Sequence, residues 1–95
     1  MVSFIVRMRF NGNDHLQIRE LITELAIASR REPGCVTYVP HFVDSDSSTV
    51  LIYEQYKDDA AAEFHRGTPH FKKYAIGGLY QRMLDRQIEN LVAVV

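Results

Sequence analysis

Residues 53–74 read YEQYKDDAAAEFHRGTPHFKKY, and this stretch sets how the chain folds. It opens with strand-like alternation and passes at Lys57-Asp58 into a short alanine-rich helix. Asp58 is placed to cap that helix over Asp59–Arg66, and Gly67 to stop it. Thr68 then caps a second helical run with Pro69 at its first position, where a missing N–H costs nothing. His65 and His70 fall on either side of the stop, so a helix end and a helix start bring two titratable rings close together.

Working outward, Thr49 to Tyr56 is a strand with apolar residues on both faces at Val50, Leu51, Ile52 and Tyr53, as expected of a central strand. Cys35 to Val43 is a second strand, joined to it by the polar loop Asp44–Ser48. Pro40 cannot donate a ladder hydrogen bond, which puts that strand at a sheet edge or at a bulge. From His15 to about Arg31, apolar residues recur at spacings of three and four, an amphipathic helix with Asp14 as its expected N-cap. Pro33-Gly34 ends it. Val2, Phe4, Val6, Met8 and Phe10 alternate with more polar positions as the first strand. Downstream, Gly77-Gly78 is expected to interrupt the second helical run, Leu79 to Leu84 to resume it, and Arg86 to Val95 to close the chain as a last strand.

The order βαββαβ defines a single domain over residues 1–95, a ferredoxin-like α+β sandwich with helices on one sheet face. The apolar character of the other face calls for a cover. A second copy, sheet against sheet, is the expected one.

Composition narrows the partners. The chain has 95 residues, 46% hydrophobic and 24% charged, with a formal net charge of −1. That balance gives no electrostatic reason to expect nucleic acid or an anionic membrane. No apolar run reaches the roughly 20 residues of a membrane-spanning helix, and no secretory leader is visible at the N-terminus. A lone cysteine, Cys35, forms no internal disulfide and suits a reducing cytoplasm; it reads as a small apolar residue rather than a nucleophile.

Glu32-Pro33-Gly34-Cys35 followed by Tyr38 and Pro40, then Tyr53-Glu54-Gln55-Tyr56, Ala60-Ala61, His65 and Thr68-Pro69-His70-Phe71, together resemble the antibiotic biosynthesis monooxygenase family. Within it, the set resembles the small quinol monooxygenases and the autoinducer-2 breakdown enzymes. The resemblance implies a homodimeric α+β barrel with a pocket in each subunit between sheet and helices. It also implies chemistry without metal, flavin or other cofactor, in which an electron-rich phenolic substrate reacts with molecular oxygen. Haem-degrading members rely on an Asn, Trp and His set, and this chain contains no tryptophan, so the resemblance points away from that branch.

Such chemistry needs a base for the phenol proton, a dry pocket for a flat ring, and donors for the developing oxyanion. His65 and His70 are the candidate catalytic residues. The helix dipole favours imidazolium at His65, in a last turn, and disfavours it at His70, in a first turn. That makes His70 the expected base and His65 the expected cation. Tyr38 and Tyr74 are the candidates for positioning the ring, and Phe71 for the pocket wall. Glu54, in the central strand, either pairs with Arg7 or Arg9 on the first strand or lines the pocket as a substrate-binding group. The histidines are dispersed, no pair has the i, i+4 spacing of helical ligands, and no metal site is expected. Two other readings stand beside the oxygenase. One is an isomerase of a phosphorylated autoinducer-2-like ketone, which would turn Arg7, Arg9, Lys72 or Lys73 inward. The other is a non-catalytic ligand-binding barrel, with both histidines facing solvent.

Overall fold

Strand alternation in β1 (Val2–Arg9) sorts its residues onto two faces, as a computed structural model of residues 1–95 shows. Phe4, Val6 and Met8 are buried, whereas Arg7 and Arg9 on the opposite face are exposed. The neighbouring β3 (Asp46–Tyr56) follows the same rule, burying Val50, Ile52, Glu54 and Tyr56 on one side. β1 and β3 pair antiparallel from Val2↔Tyr56 to Arg9↔Thr49. β2 (Cys35–Val43) and β4 (Asp85–Leu91) flank them, giving the sheet order β2-β3-β1-β4. Pro40 therefore lies on an edge strand, as its missing N–H requires. This is the expected ferredoxin-like α+β sandwich.

α1 (His15–Ser29) buries Ile18, Ile22, Leu25 and Ala26 against the sheet. Its start differs from expectation. Asp14 makes no side-chain cap; instead Asn11 accepts from the Asn13 N–H and begins a 3₁₀ turn, Gly12–Asp14, that runs straight into α1. β3 starts three residues earlier than expected because Asp46 gathers the Ser48 and Thr49 hydroxyls at 2.6 and 2.7 Å, shrinking the loop to a turn.

α2 (Asp59–Arg66) is capped by Asp58, whose side chain accepts from the Ala61 N–H at 2.8 Å. It docks on Gly34: a Cβ there would collide with Ala61 Cβ, so only glycine lets the Glu32-Pro33-Gly34 turn come this close. The next helical run begins at Pro69 and continues without a break as a π-helix, Phe71–Leu79, and a final turn, α3 (Tyr80–Arg82). Gly77-Gly78 thus does not interrupt it. A Cβ on Gly78 would stand 2.8 Å from Leu21 Cδ2 of α1, so the glycine serves close helix packing rather than a break.

β4 also differs. Its pairing with β1 ends at Ser3↔Leu91, one residue short of the start of β1 at Val2, and Val92, Val94 and Val95 are exposed. The core lies between the helices and one sheet face. On the other face Ile5, Leu51 and Tyr53 are only half-buried. No helix is long and apolar enough to cross a membrane.

Candidate active site

The corner between α2 and the π-helix is tied by Thr68. Its hydroxyl donates to the His65 carbonyl at 2.7 Å and accepts the Phe71 N–H at 3.2 Å. That fixes His65 and His70 around a third residue, Glu32, which α1 and the Pro33-Gly34 turn deliver to the same spot. A carboxylate oxygen can only accept, so both rings donate to Glu32 Oε2: His65 through Nδ1–H at 2.8 Å, His70 through Nε2–H at 2.6 Å. Glu32 is buried, and its Oε1 has no protein partner.

The hydrogen bond to Glu32 puts the His65 proton on Nδ1 and leaves Nε2 as a free base. Nε2 lies 3.7 Å from Glu54 Oε1, too far for a hydrogen bond. Burial holds the His65 pKa below the usual histidine value of 6.5, against the raising effect of Glu32. Burial favours the neutral form of His65, against the cation that the helix dipole was expected to favour there, and its ring borders the open space. Glu54 does not pair with Arg7 or Arg9. It alternates with Ile52 and Tyr56 on the helix-facing side, while those arginines share the other face with Ile5. Burial pushes its carboxyl up to about 7, opposed by the Tyr56 hydroxyl that donates to Oε1 at 2.6 Å. Burial likewise raises the Tyr38, Tyr56 and Tyr80 phenols, keeping them as donors.

That open space is a cleft of about 640 Å³ between α2, the π-helix and the β1–β4 half of the sheet. Phe4, Val6, Phe71, Ile76, Tyr80 and Ile88 supply its apolar wall; Glu54, His65, Arg66, Arg86 and Asn90 supply the polar positions. Phe71 meets the His65 ring edge-on, with centroids 5.1 Å apart, and is the wall residue it was expected to be. Tyr38 is 2% exposed and sits beneath the cleft, its ring 5.7 Å from that of His65. Tyr74 is not brought in. It lies in a separate groove with Leu21, Gly77 and Gly78, because the turn that aims His70 at Glu32 carries Tyr74 toward α1. His70 stands behind His65 and reaches it only through Glu32.

Sequence reasoning missed Glu32, Tyr56, Arg66, Tyr80, Arg86 and Asn90. For Tyr56 the signal was available, since strand parity aligns it with Glu54. Glu32 carried none beyond the family motif, being one acid in a charged helix end. The histidines are not dispersed in space: with Glu32, three ligand-type atoms lie within 4.8 Å of one another. These residues could hold a divalent cation only if each ring carried its proton on its other nitrogen, giving up the hydrogen bonds to Glu32. Cys35 is pushed up to about 11 by burial and by Glu32, which keeps it a thiol. Arg7, Arg9, Lys72 and Lys73 line no part of the cleft, and His65 does not face solvent. The inward cations expected for an anionic isomerase substrate are present as Arg66 and Arg86 rather than at those four positions, and the burial of His65 departs from the solvent-facing pair expected of the non-catalytic barrel.

Glu54 gives a stability signature. Its folded pKa of about 7 exceeds the ordinary value of 4.5, so the native state holds the extra proton between those limits. Stability is therefore lost as pH rises from about 4.5 to 7 and stays lower above. Urea midpoints of Glu54→Gln are expected to exceed the wild type at pH 8 relative to pH 5; parallel pH curves would contradict this.

A ferredoxin-like domain with a buried glutamate–histidine cluster beside an apolar cleft defines the class of small α+β protein to which the chain belongs. The sequence pattern of the family described as antibiotic biosynthesis monooxygenase matches residues 1–75, and the chain belongs to that family. Rv0793 of Mycobacterium tuberculosis, provisionally named a monooxygenase, is 27% identical over 73 residues, covering 77% of this chain and 71% of that protein. The crystal structure of PA3566 from Pseudomonas aeruginosa superposes with a TM-score of 0.90 at 26% identity, covering 99% of this chain and 94% of that one. A crystal structure described as an antibiotic biosynthesis monooxygenase superposes with a TM-score of 0.93 over the full length of both chains; at 23% identity it speaks for the fold. Family and relatives together support a monooxygenase-type function.

Proposed function

We propose that this chain is a cofactor-independent monooxygenase of quinol-like or polyphenolic aromatics. The observation that carries the reading is His65, seated at an apolar cleft with Nδ1 held by Glu32 and Nε2 unoccupied. A phenolic O–H of the substrate gives its proton to Nε2, and Glu32 stabilises the imidazolium that forms. The phenolate transfers one electron to oxygen, and the resulting radicals join to form a C–O bond. The peroxide O–O bond then breaks: one oxygen atom stays on the ring and the other leaves as water. For a simple hydroquinone the products are a hydroxyquinone and one water, with all four electrons drawn from the substrate. Glu54, with its pKa near neutrality, supplies a proton or a hydrogen bond to the developing oxyanion.

The test is oxygen uptake with a panel of hydroquinones, comparing wild type with His65→Ala and His70→Ala. Uptake that depends on His65 supports the reading. No uptake with any quinol, or a His65 variant as active as wild type, overturns it.

A homodimer completes the proposal. Ile5, Leu51 and Tyr53 form an apolar strip on the sheet face that no helix covers, and Ile5 and Tyr53 are cross-strand partners. Sedimentation is expected at twice the 11.0 kDa chain mass. Tyr53→Asp, which would place a charge in the buried seam, is expected to sediment as monomer. A wild-type monomer would contradict the assignment.

A further inference from the structure

The cleft wall is apolar, yet two guanidinium groups border it, and their surroundings differ from those of ordinary surface arginines. Arg86 projects from β4, opposite Met8, and its Cζ lies 5.1 Å from the centroid of the Tyr80 ring. None of the chain's ion pairs or side-chain hydrogen bonds uses it. Arg66, at the end of α2, has one partner, Glu63 at 3.3 Å, and both side chains are more than half exposed. Such a surface pair contributes little and is readily exchanged for another anion. Both arginines line the cleft together with Glu54, and their charges lower its carboxyl against the raising effect of burial. Glu54 is the only acid on the cleft wall, which leaves the positive charge there largely uncompensated.

We propose that Arg66 and Arg86 form a receptor for the anionic group of the substrate, so that the cleft takes a planar aromatic ring bearing a carboxylate rather than a neutral quinol. This rests on the oxygenase reading for the ring and goes beyond it in the substituent. The guanidinium fork matches a carboxylate in geometry and charge. Stacking on Tyr80 holds the Arg86 fork in place before the ligand arrives and reduces the entropy lost on binding. The six apolar residues cover the faces of the ring, and His65 Nε2 is left for its hydroxyl.

Binding measured without turnover separates this proposal from the oxygenase reading. Calorimetric titration with 2-naphthoate and with the uncharged 2-naphthamide is expected to show naphthoate binding about tenfold tighter or more. Arg86→Gln is expected to abolish that preference, and Arg66→Gln to reduce it, with naphthamide affinity unchanged in both. The wild-type preference should also shrink as salt rises. Equal affinity for the two probes, binding of neither, or a preference that survives both substitutions would overturn the receptor. Inorganic phosphate displacing naphthoate at lower concentration than acetate does would overturn the carboxylate assignment in favour of a phosphorylated ligand. If naphthoate binds as expected but no quinol, carboxylated or plain, consumes oxygen, the oxygenase reading falls and the receptor stands.

Discussion

His65→Ala is expected to lower kcat for quinol oxidation by about 10²–10⁴-fold, the usual contribution of a positioned general base. The fold should survive, because α2 is held by its Asp58 cap and by the contact with Gly34 rather than by the imidazole. The substitution removes the base Nε2 facing the cleft and the Nδ1–H bond to Glu32, which His70 still partners. The apolar wall that holds the ring remains, so KM should move far less than kcat. The pH profile provides a second check. Burial keeps His65 neutral below the usual histidine pKa of 6.5, so wild-type kcat/KM should hold on the acid side to below that value before it falls. An acid limb of unchanged position in His65→Ala would show that another group carries the proton. His70→Ala should cost less than His65→Ala, because His70 touches the reacting space only through Glu32.

The second large effect belongs to Glu32. Two imidazole N–H groups, that of His65 buried and that of His70 half-buried, donate to one of its oxygens, and Glu32→Ala strands both. Each orphaned donor costs about 1–3 kcal/mol, so the variant should lose about 2–5 kcal/mol of stability. For a chain of this size that lowers Tm by roughly 10 °C or more. Glu32→Gln keeps an acceptor of the same shape, so most of the stability should return. Activity should not return with it: without the negative charge the imidazolium is less stable, and kcat is expected to stay down by about 10²-fold. A purely structural Glu32 would behave differently, with the amide restoring rate and stability together.

The fold was legible because its signals are local. Alternation in Val2–Phe10 and Thr49–Tyr56, the proline at position 40, and the Asp58 and Thr68 caps each act within a few residues, and each is found in the structure. Gly77-Gly78 misled for a physical reason. Glycine breaks helices on propensity, but here Leu21 of α1, distant in sequence, needs the space that a side chain would take. The last strand was read too long because the apolar run Val92–Val95 continues past the last residue paired with β1, Leu91.

The site was legible only in part. His65, Glu54 and Phe71 meet at the cleft as the motif suggested, since strand parity and the helix corner place them. Burial works against the cation expected at His65, because helix polarity can be read from sequence whereas the burial of one ring depends on the whole fold. Tyr74 shares a helix with His70 but faces α1. Glu32 reaches its partners across 33 and 38 residues of chain, a convergence that no local pattern encodes. Parity alone could have settled Glu54, since Arg7 and Arg9 fall on the strand face that Ile5 occupies.

A single spectroscopic measurement reaches the centre of the account, independently of which substrate is chosen. Long-range proton–nitrogen correlation of the His65 ring at pH 7 should show Nδ1 carrying the proton and Nε2 bare. The same state should persist as pH is lowered through 6.5. A proton on Nε2, or an imidazolium already formed at pH 7, would mean that His65 does not present a base to the cleft.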